Sequence, residues 1–235
     1  MTDLLYTAII VAGGKGNRMN LKEAKQYMPL NGKSVFVYSV EHYIDACVDE
    51  IVLAVPSGDE EKVLEILENE LDTKRKQNVN IKVVSGGSTR LHSVYNGLKS
   101  ASGEYVLIHD AARPMTEIED IKAVMEKVKE GACLLGHMAV DTIEVVKNGM
   151  IEKALNRDEL FVAGTPQAFL KEEIKSAYDK MFENMCTEGF TDDVSVYRHF
   201  VKKNVYAVME SAPNLKITYK QDIEIANILL KKQEI

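Results

Sequence analysis

Three loops in this chain carry residues suited to chemistry, and two of them set glycines beside charged side chains. In the first, Ala12-Gly13-Gly14-Lys15-Gly16 ends an apolar run and is followed by Arg18 and Lys25. The second is Ser85-Gly86-Gly87-Ser88-Thr89-Arg90. The third is His109-Asp110-Ala111-Ala112-Arg113-Pro114. Glycines let backbone N–H groups approach a phosphate closely, and nearby cations neutralise it. The chemistry these loops suggest is the gripping of a nucleotide polyphosphate.

Common phosphate motifs do not fit the first loop. Gly14-x-Gly16 would need a small residue at position 19 to be a dinucleotide fingerprint, and Met19 stands there. Gly32-Lys33-Ser34 imitates the tail of a P-loop, but position 27 is Tyr where that motif needs Gly. A tight turn after a buried strand would also explain the glycines of the first loop, and Arg18 and Lys25 weigh against it. Surface ion pairing is the ordinary fate of Arg90 and Arg113. Their places directly after strand-end loops favour function. His109 follows a buried strand and is expected to pack. His42, His92, His137 and His199 show no ligand spacing. Asp192 and Asp193 could hold a metal or cap a helix. No Ser–His–Asp or Cys–His order can be argued.

The elements that must position these loops alternate. Tyr6 to Val11 reads as a strand, Ser34 to Ala46 as a helix and Glu50 to Pro56 as a second strand. Gly58 to Leu71 follows as a helix, with Val63, Leu64, Leu67 and Leu71 on one face. Ile81 to Val84, Leu91 to Ser100, Glu104 to Ile108, Glu117 to Glu130 and Ala132 to Gly136 continue the pattern. Such alternation predicts a parallel, doubly wound α/β sheet. Ligands of such sheets bind outside the carboxyl ends of the strands, where all three loops fall.

The alternation then breaks. Val140 to Lys147 and Met150 to Leu155 flank Asn148-Gly149, a strong hairpin signal. Phe161 to Phe169 reads as a strand that Pro166 forces to an edge or a bend. Lys171 to Cys186 is a helix, Thr191 starts another, Asn204 to Met209 is a strand, and Gln221 to Lys232 closes the chain as a helix.

Composition bounds the rest. A length of 235 residues suits one large domain, and 46% hydrophobic residues supply a sizeable core. A formal charge of -7 argues against nucleic acid as a partner. Cys47, Cys133 and Cys186 are scattered, so neither a disulfide framework nor a zinc site is expected, and the cytoplasm is the expected setting. The first residues carry no basic leader, and their apolar run is too short for a membrane.

Taken in order, AGGKGNRM, KQY, GGSTRLHSVYNGL, HDAARP, DTI, NRDEL, TPQAF, TDD and NLKIT resemble the methylerythritol-phosphate cytidylyltransferase family and its close relatives, the ribitol-phosphate cytidylyltransferases. The resemblance runs from Ala8 to the final helix. It implies a Rossmann-like domain over residues 1–235 with a protruding β-arm, residues 138–158, that exchanges across a homodimer. It implies a reaction of CTP with a polyol phosphate to a CDP-polyol and pyrophosphate. Mg²⁺ would be held mainly by the CTP phosphates, with no dedicated metal ligands in the chain.

By position, the resemblance implies that Ala12, Gly13, Gly14 and Gly16 wrap the triphosphate and that Arg18 and Lys25 sit on the α-phosphate. Gly87, Arg90 and Ser93 would read or support the cytidine. Asp110 and Ala111 would contact the ribose and the polyol side, with Arg113 bracing that loop. Thr142 and Arg157 would reach the polyol phosphate, Arg157 from the other subunit, and Thr165, Thr191 and Lys216 would line the acceptor and phosphate site. The chain departs from the family at Ala24, where Pro is usual, and at Gly164, where Gln is common. Gly13 leans towards the ribitol branch and His109-Asp110-Ala111-Ala112-Arg113-Pro114 towards methylerythritol phosphate, which is the acceptor favoured. A non-catalytic nucleotide-sensing module is the rival from another class; the cations Arg18, Lys25, Arg157 and Lys216 argue against it. A glycosyltransferase would want an Asp-x-Asp motif, and after the fourth strand only His109-Asp110-Ala111 is present.

Overall fold

The computed structural model describes residues 5–13, 24–77 and 79–233. In chain order it runs β1 Tyr6–Val11, the two-residue strands β2 Pro29–Leu30 and β3 Lys33–Ser34, and α1 Val35–Asp45. Next come β4 Glu50–Val55, α2 Glu60–Glu70, the short α3 Thr73–Lys76, β5 Asn80–Ser85 and α4 Arg90–Ser100. Then follow β6 Tyr105–Asp110, α5 Ile118–Lys127, β7 Cys133–Met138, β8 Glu144–Lys147 and β9 Met150–Ala154. The remainder is β10 Phe161–Leu170, α6 Lys171–Glu183, α7 Asp193–Phe200, β11 Tyr206–Met209 and α8 Lys220–Gln233.

The main sheet has seven strands in the order β11-β7-β10-β6-β1-β4-β5. β1 pairs in parallel with β4 and β6, β4 with β5, and β11 with β7, while β10 runs antiparallel to both neighbours. This is the expected doubly wound, mostly parallel sheet. Both faces are covered, which is why the central strands read as continuous apolar runs. Ala8, Ile10, Ile51, Leu53 and Leu107 face Val40, Val63 and Val124 of α1, α2 and α5. Ile9, Val52, Val106 and Ile108 face Leu98, Ile174 and Tyr197 of α4, α6 and α7.

The structure departs from the expectations at three places. Leu64 of α2 is 52% exposed, and only Val63 and Leu67 of that helix are buried. β10 lies inside the sheet, not at an edge. The bend half of that expectation holds: the register shifts between Ala163 and Gln167, so Pro166, which has no N–H to donate, falls where the ladder is already interrupted. The strand before the third loop runs on to Asp110, opposite Val11, so Asp110 is the last rung of β6. At α7 the capping alternative for Asp192 holds: it is the N-cap, with a reciprocal Ser195 capping box.

β8 and β9 form a separate two-stranded sheet. Asn148 and Gly149 turn it with φ of 52° and 79°, the left-handed values a type I′ turn requires. Its apolar side chains face outward: Val146, Met150 and Ile151 are 62%, 71% and 69% exposed. No helix among the described residues is long and apolar enough to cross a membrane.

Candidate active site

The carboxyl ends of β1 and β6 and the loops beyond β1 and β5 enclose a cleft of about 350 Å³. Ala12 and Gly13 border it from the first loop, Gly87 and Arg90 from the second, Asp110 and Ala111 from the third, with Lys25 and Lys216 from two further segments. The topology explains the convergence. β6, β1 and β5 run parallel with only β4 between β1 and β5, so their carboxyl ends and the loops beyond them open on the same edge of the sheet.

The second loop is held by its own helix. Ser93, buried in α4, accepts the Gly87 N–H at 3.0 Å and donates to the Thr89 carbonyl at 3.0 Å. Thr89 is the N-cap of α4. The partial positive end of that helix dipole therefore faces the cleft, where it favours an anion. Gly87 is required by space: a Cβ there would lie 2.2 Å from the His92 Cβ. Gly13 packs on the same serine, and a Cβ there would lie 2.9 Å from its Oγ.

Charge in the cleft centres on Asp110. Its Oδ1 accepts from Arg90 Nε at 2.9 Å and its Oδ2 from Lys216 Nζ at 2.5 Å. Burial pushes the Asp110 carboxyl up, but Arg90 and Lys216 overcome it and hold the group well below the usual carboxylate range. Asp110 is therefore an anion at neutral pH, and it keeps two cations at the cleft wall. Lys25 Nζ donates to the Ile217 carbonyl at 2.9 Å, beside Lys216. The 215–217 segment is itself anchored, because Ile217 is fully buried with Leu30 and Val35 and its N–H bonds Ala112 O at 2.8 Å.

Behind this wall lies a second network, built around a neutral histidine. Thr165 Oγ1 accepts from the Asp110 N–H at 3.2 Å and meets His109 Nδ1 at 3.1 Å. A hydroxyl has one proton to give, so His109 Nδ1 accepts it, and His109 Nε2 donates to the Arg113 carbonyl at 3.2 Å. Burial lowers His109 to about 3, so the ring is neutral. Arg113 Nη1 donates to Asn214 O at 2.6 Å, and Asn214 Nδ2 donates to Thr165 O at 2.9 Å. These contacts tie the loop that carries Lys216 to the sheet.

Of the residues singled out by sequence, Ala12, Gly13, Lys25, Gly87, Arg90, Asp110, Ala111 and Lys216 meet at the cleft. Ser93, Arg113 and Thr165 stand behind its wall. Thr142, Arg157 and Thr191 are exposed outside its lining, and Arg157 Nη1 holds Val140 O at 3.0 Å across the base of the hairpin. Gly14, Gly16 and Arg18 lie outside the described residues. Sequence reasoning passed over Tyr178 and Gln167 and left Asp193 between capping and metal binding; these three contact Arg90 or the start of α7. The signal for Asp193 was a carboxylate on the face of α7 that also carries Val196 and Tyr197.

A mostly parallel sheet with a glycine-lined, lysine-bearing cleft at its strand ends defines a nucleotide-handling α/β protein of the group-transfer kind. Comparison with known proteins narrows this. The family model for 2-C-methyl-D-erythritol 4-phosphate cytidylyltransferase (IspD) matches residues 6–232. The 2-C-methyl-D-erythritol 4-phosphate cytidylyltransferase of Clostridium botulinum (strain Eklund 17B / Type B) is 38% identical over 97% of this chain and 100% of its own. The solved 4-diphosphocytidyl-2C-methyl-D-erythritol synthase of Anaerococcus prevotii superposes with a TM-score of 0.82 at 28% identity, covering 97% of this chain and 99% of that one. The Francisella tularensis IspD structure superposes at 0.76 with 31% identity, covering 95% and 99%. The chain belongs to the 2-C-methyl-D-erythritol 4-phosphate cytidylyltransferase family.

Proposed function

We propose that this chain joins CTP and 2-C-methyl-D-erythritol 4-phosphate into CDP-methylerythritol, with release of pyrophosphate. The observation that carries the reading is the cleft in which Lys25, Lys216 and the positive end of α4 converge at the strand ends, in a chain that matches the family over nearly its whole length.

The mechanism follows from charge. An oxygen of the acceptor phosphate attacks the α-phosphorus of CTP. One P–O bond forms, the bond to the pyrophosphate oxygen breaks, and the electron pair leaves with pyrophosphate. Both reactants are polyanions, and charge grows on the α-phosphate oxygens in the transition state. Lys25, Lys216 and Arg18 neutralise it, acting by position and electrostatics. A phosphate dianion is already nucleophilic, so no strong general base is required. Asp110 keeps Lys216 at the wall and offers the ribose an acceptor.

Mg²⁺ is a hard cation that takes oxygen ligands. Among the described residues Asp110 is the one carboxylate bordering the cleft, and both its oxygens already accept from cations. That donor set fits an ion held mainly by the triphosphate. When bound, the ion supplies further neutralisation of phosphate charge.

The same reading makes residues 1–235 one domain and the hairpin, residues 138–158, an arm that exchanges across a homodimer. Outward apolar side chains at Val146, Met150 and Ile151 support it. The arm would bring Thr142 and Arg157 to the partner's acceptor phosphate, which fits their exposure outside this chain's cleft. The free cysteines Cys47, Cys133 and Cys186 suit a reducing cytoplasm.

The acceptor is tested by measuring pyrophosphate release from CTP with methylerythritol phosphate and with ribitol phosphate. Release with the first at far lower acceptor concentration is expected. Release with ribitol phosphate alone would move the chain to the ribitol reaction, and release with neither would leave a nucleotide-binding module.

A further inference from the structure

Asp193 is wholly buried at the first turn of α7, an unusual place for a carboxylate. Its two oxygens grip the Arg90 fork at 3.1 and 2.8 Å, and the buried Tyr178 hydroxyl donates to Oδ1 at 2.5 Å. The start of α7 is clamped from the sheet. Gln167 Oε1 accepts the N–H groups of Asp193 and Val194 at 3.1 and 2.9 Å, and its Nε2 donates to Asp192 at 3.0 Å. Arg90 thus gives both terminal nitrogens to Asp193 and only Nε to Asp110. Two carboxylates and two cations, Arg90 and Lys216, close a charge-neutral cluster.

We propose that Asp193, held by Tyr178 and Gln167, is a positioning residue for the reaction in the cleft: by occupying the Arg90 fork it leaves Asp110 Oδ2 to hold Lys216. The inference rests on the nucleotidyl-transfer reading of that cleft. The physical reason is competition. A guanidinium prefers two parallel bonds to one carboxylate. With the fork occupied, Asp110 offers Arg90 one oxygen and Lys216 the other. With the fork released, Arg90 closes on both Asp110 oxygens and Lys216 loses its anchor. Stability alone is a weak reason to keep such a group, since buried ion pairs often add little net stability.

The test pairs a structure with a double-mutant cycle. Asp193→Asn keeps the shape and removes the charge. In its crystal structure Arg90 should take both Asp110 oxygens, and Lys216 Nζ should leave hydrogen-bonding distance. Lys216 still bonded to Asp110 would overturn the proposal, whatever the activity. In kinetics, Asp193→Asn should lower kcat by about 10²-fold, the scale of a misplaced catalytic group. Added to Lys216→Ala, it should cost within about twofold more, because the two act through one contact. Losses that multiply would overturn the proposal. Tyr178→Phe keeps every charge and loosens only the Asp193 end, so it carries the same cycle if Asp193→Asn does not fold: a smaller kcat loss that vanishes in the Lys216→Ala background supports the proposal, and one that multiplies overturns it. Displacement of Lys216 in Asp193→Asn, with no pyrophosphate release by the parent protein, would uphold the positioning and sink the nucleotidyl-transfer reading.

Discussion

At the scale of single residues, the cleft sorts its charges by task. Lys25 and Lys216 are the cations that line the cleft, and the Ile217 carbonyl and Asp110 hold them there. Replacing Lys25 with Ala removes one fixed charge from the growing anion. Its kcat should fall about 10²-fold or more with the far-UV spectrum and melting temperature nearly unchanged; full activity would remove Lys25 from its assigned role. His109 makes a different prediction. Burial lowers it to about 3, far below the ordinary histidine near 6.5. The unfolded chain therefore binds a proton across that window and the native protein does not, so this contribution to stability is complete above about pH 6.5 and is lost as pH falls towards 3. Urea unfolding between those values should show stability falling with pH. His109→Gln should remove a slope of about 1.4 kcal/mol per pH unit, one proton's worth, and an unchanged slope would contradict the neutral ring. Asp110 works in the same sense further down. Held below its ordinary range by Arg90 and Lys216, it contributes above about pH 4 and the contribution is lost below it.

At the scale of elements, the second loop is a rigid ledge. Ser93 ties it from inside α4, and Gly87 leaves no room for a methyl group against His92. Gly87→Ala should push the loop off the cleft and raise KM for CTP about tenfold or more while the core stays folded; an unchanged KM would mean the loop does not contact nucleotide. The alternation of strands and helices, and hence the sheet, was legible because each central strand is apolar on both faces, as Ala8, Ile9 and Ile10 illustrate. β10 was harder. Pro166 pointed to an edge, and nothing local says that a register shift lets the strand sit between β6 and β7. Asp110, Lys25 and Lys216 were legible from loop positions and from the family motifs. Asp193 and Tyr178 were not, because a buried charge pair depends on which helix lands on which strand, and 103 residues separate Arg90 from Asp193.

At the scale of the whole molecule, the hairpin is the part least satisfied by the single chain. It pairs with no strand of the main sheet and turns Val146, Met150 and Ile151 outward. Val146→Glu with Ile151→Glu should convert a dimer to a monomer in sedimentation and lower activity steeply, with the melting of the sheet domain little altered; a wild-type monomer that is fully active at high dilution would contradict the exchanged arm. The reaction turns on bond making at one phosphorus. It is tested most directly by incubating the protein with methylerythritol phosphate and CTP labelled at the α-phosphorus, then locating the label. The label should pass into CDP-methylerythritol, one equivalent per pyrophosphate released, and the transfer should collapse in Lys25→Ala. Label that stays in CTP, or emerges as free CMP, would contradict it.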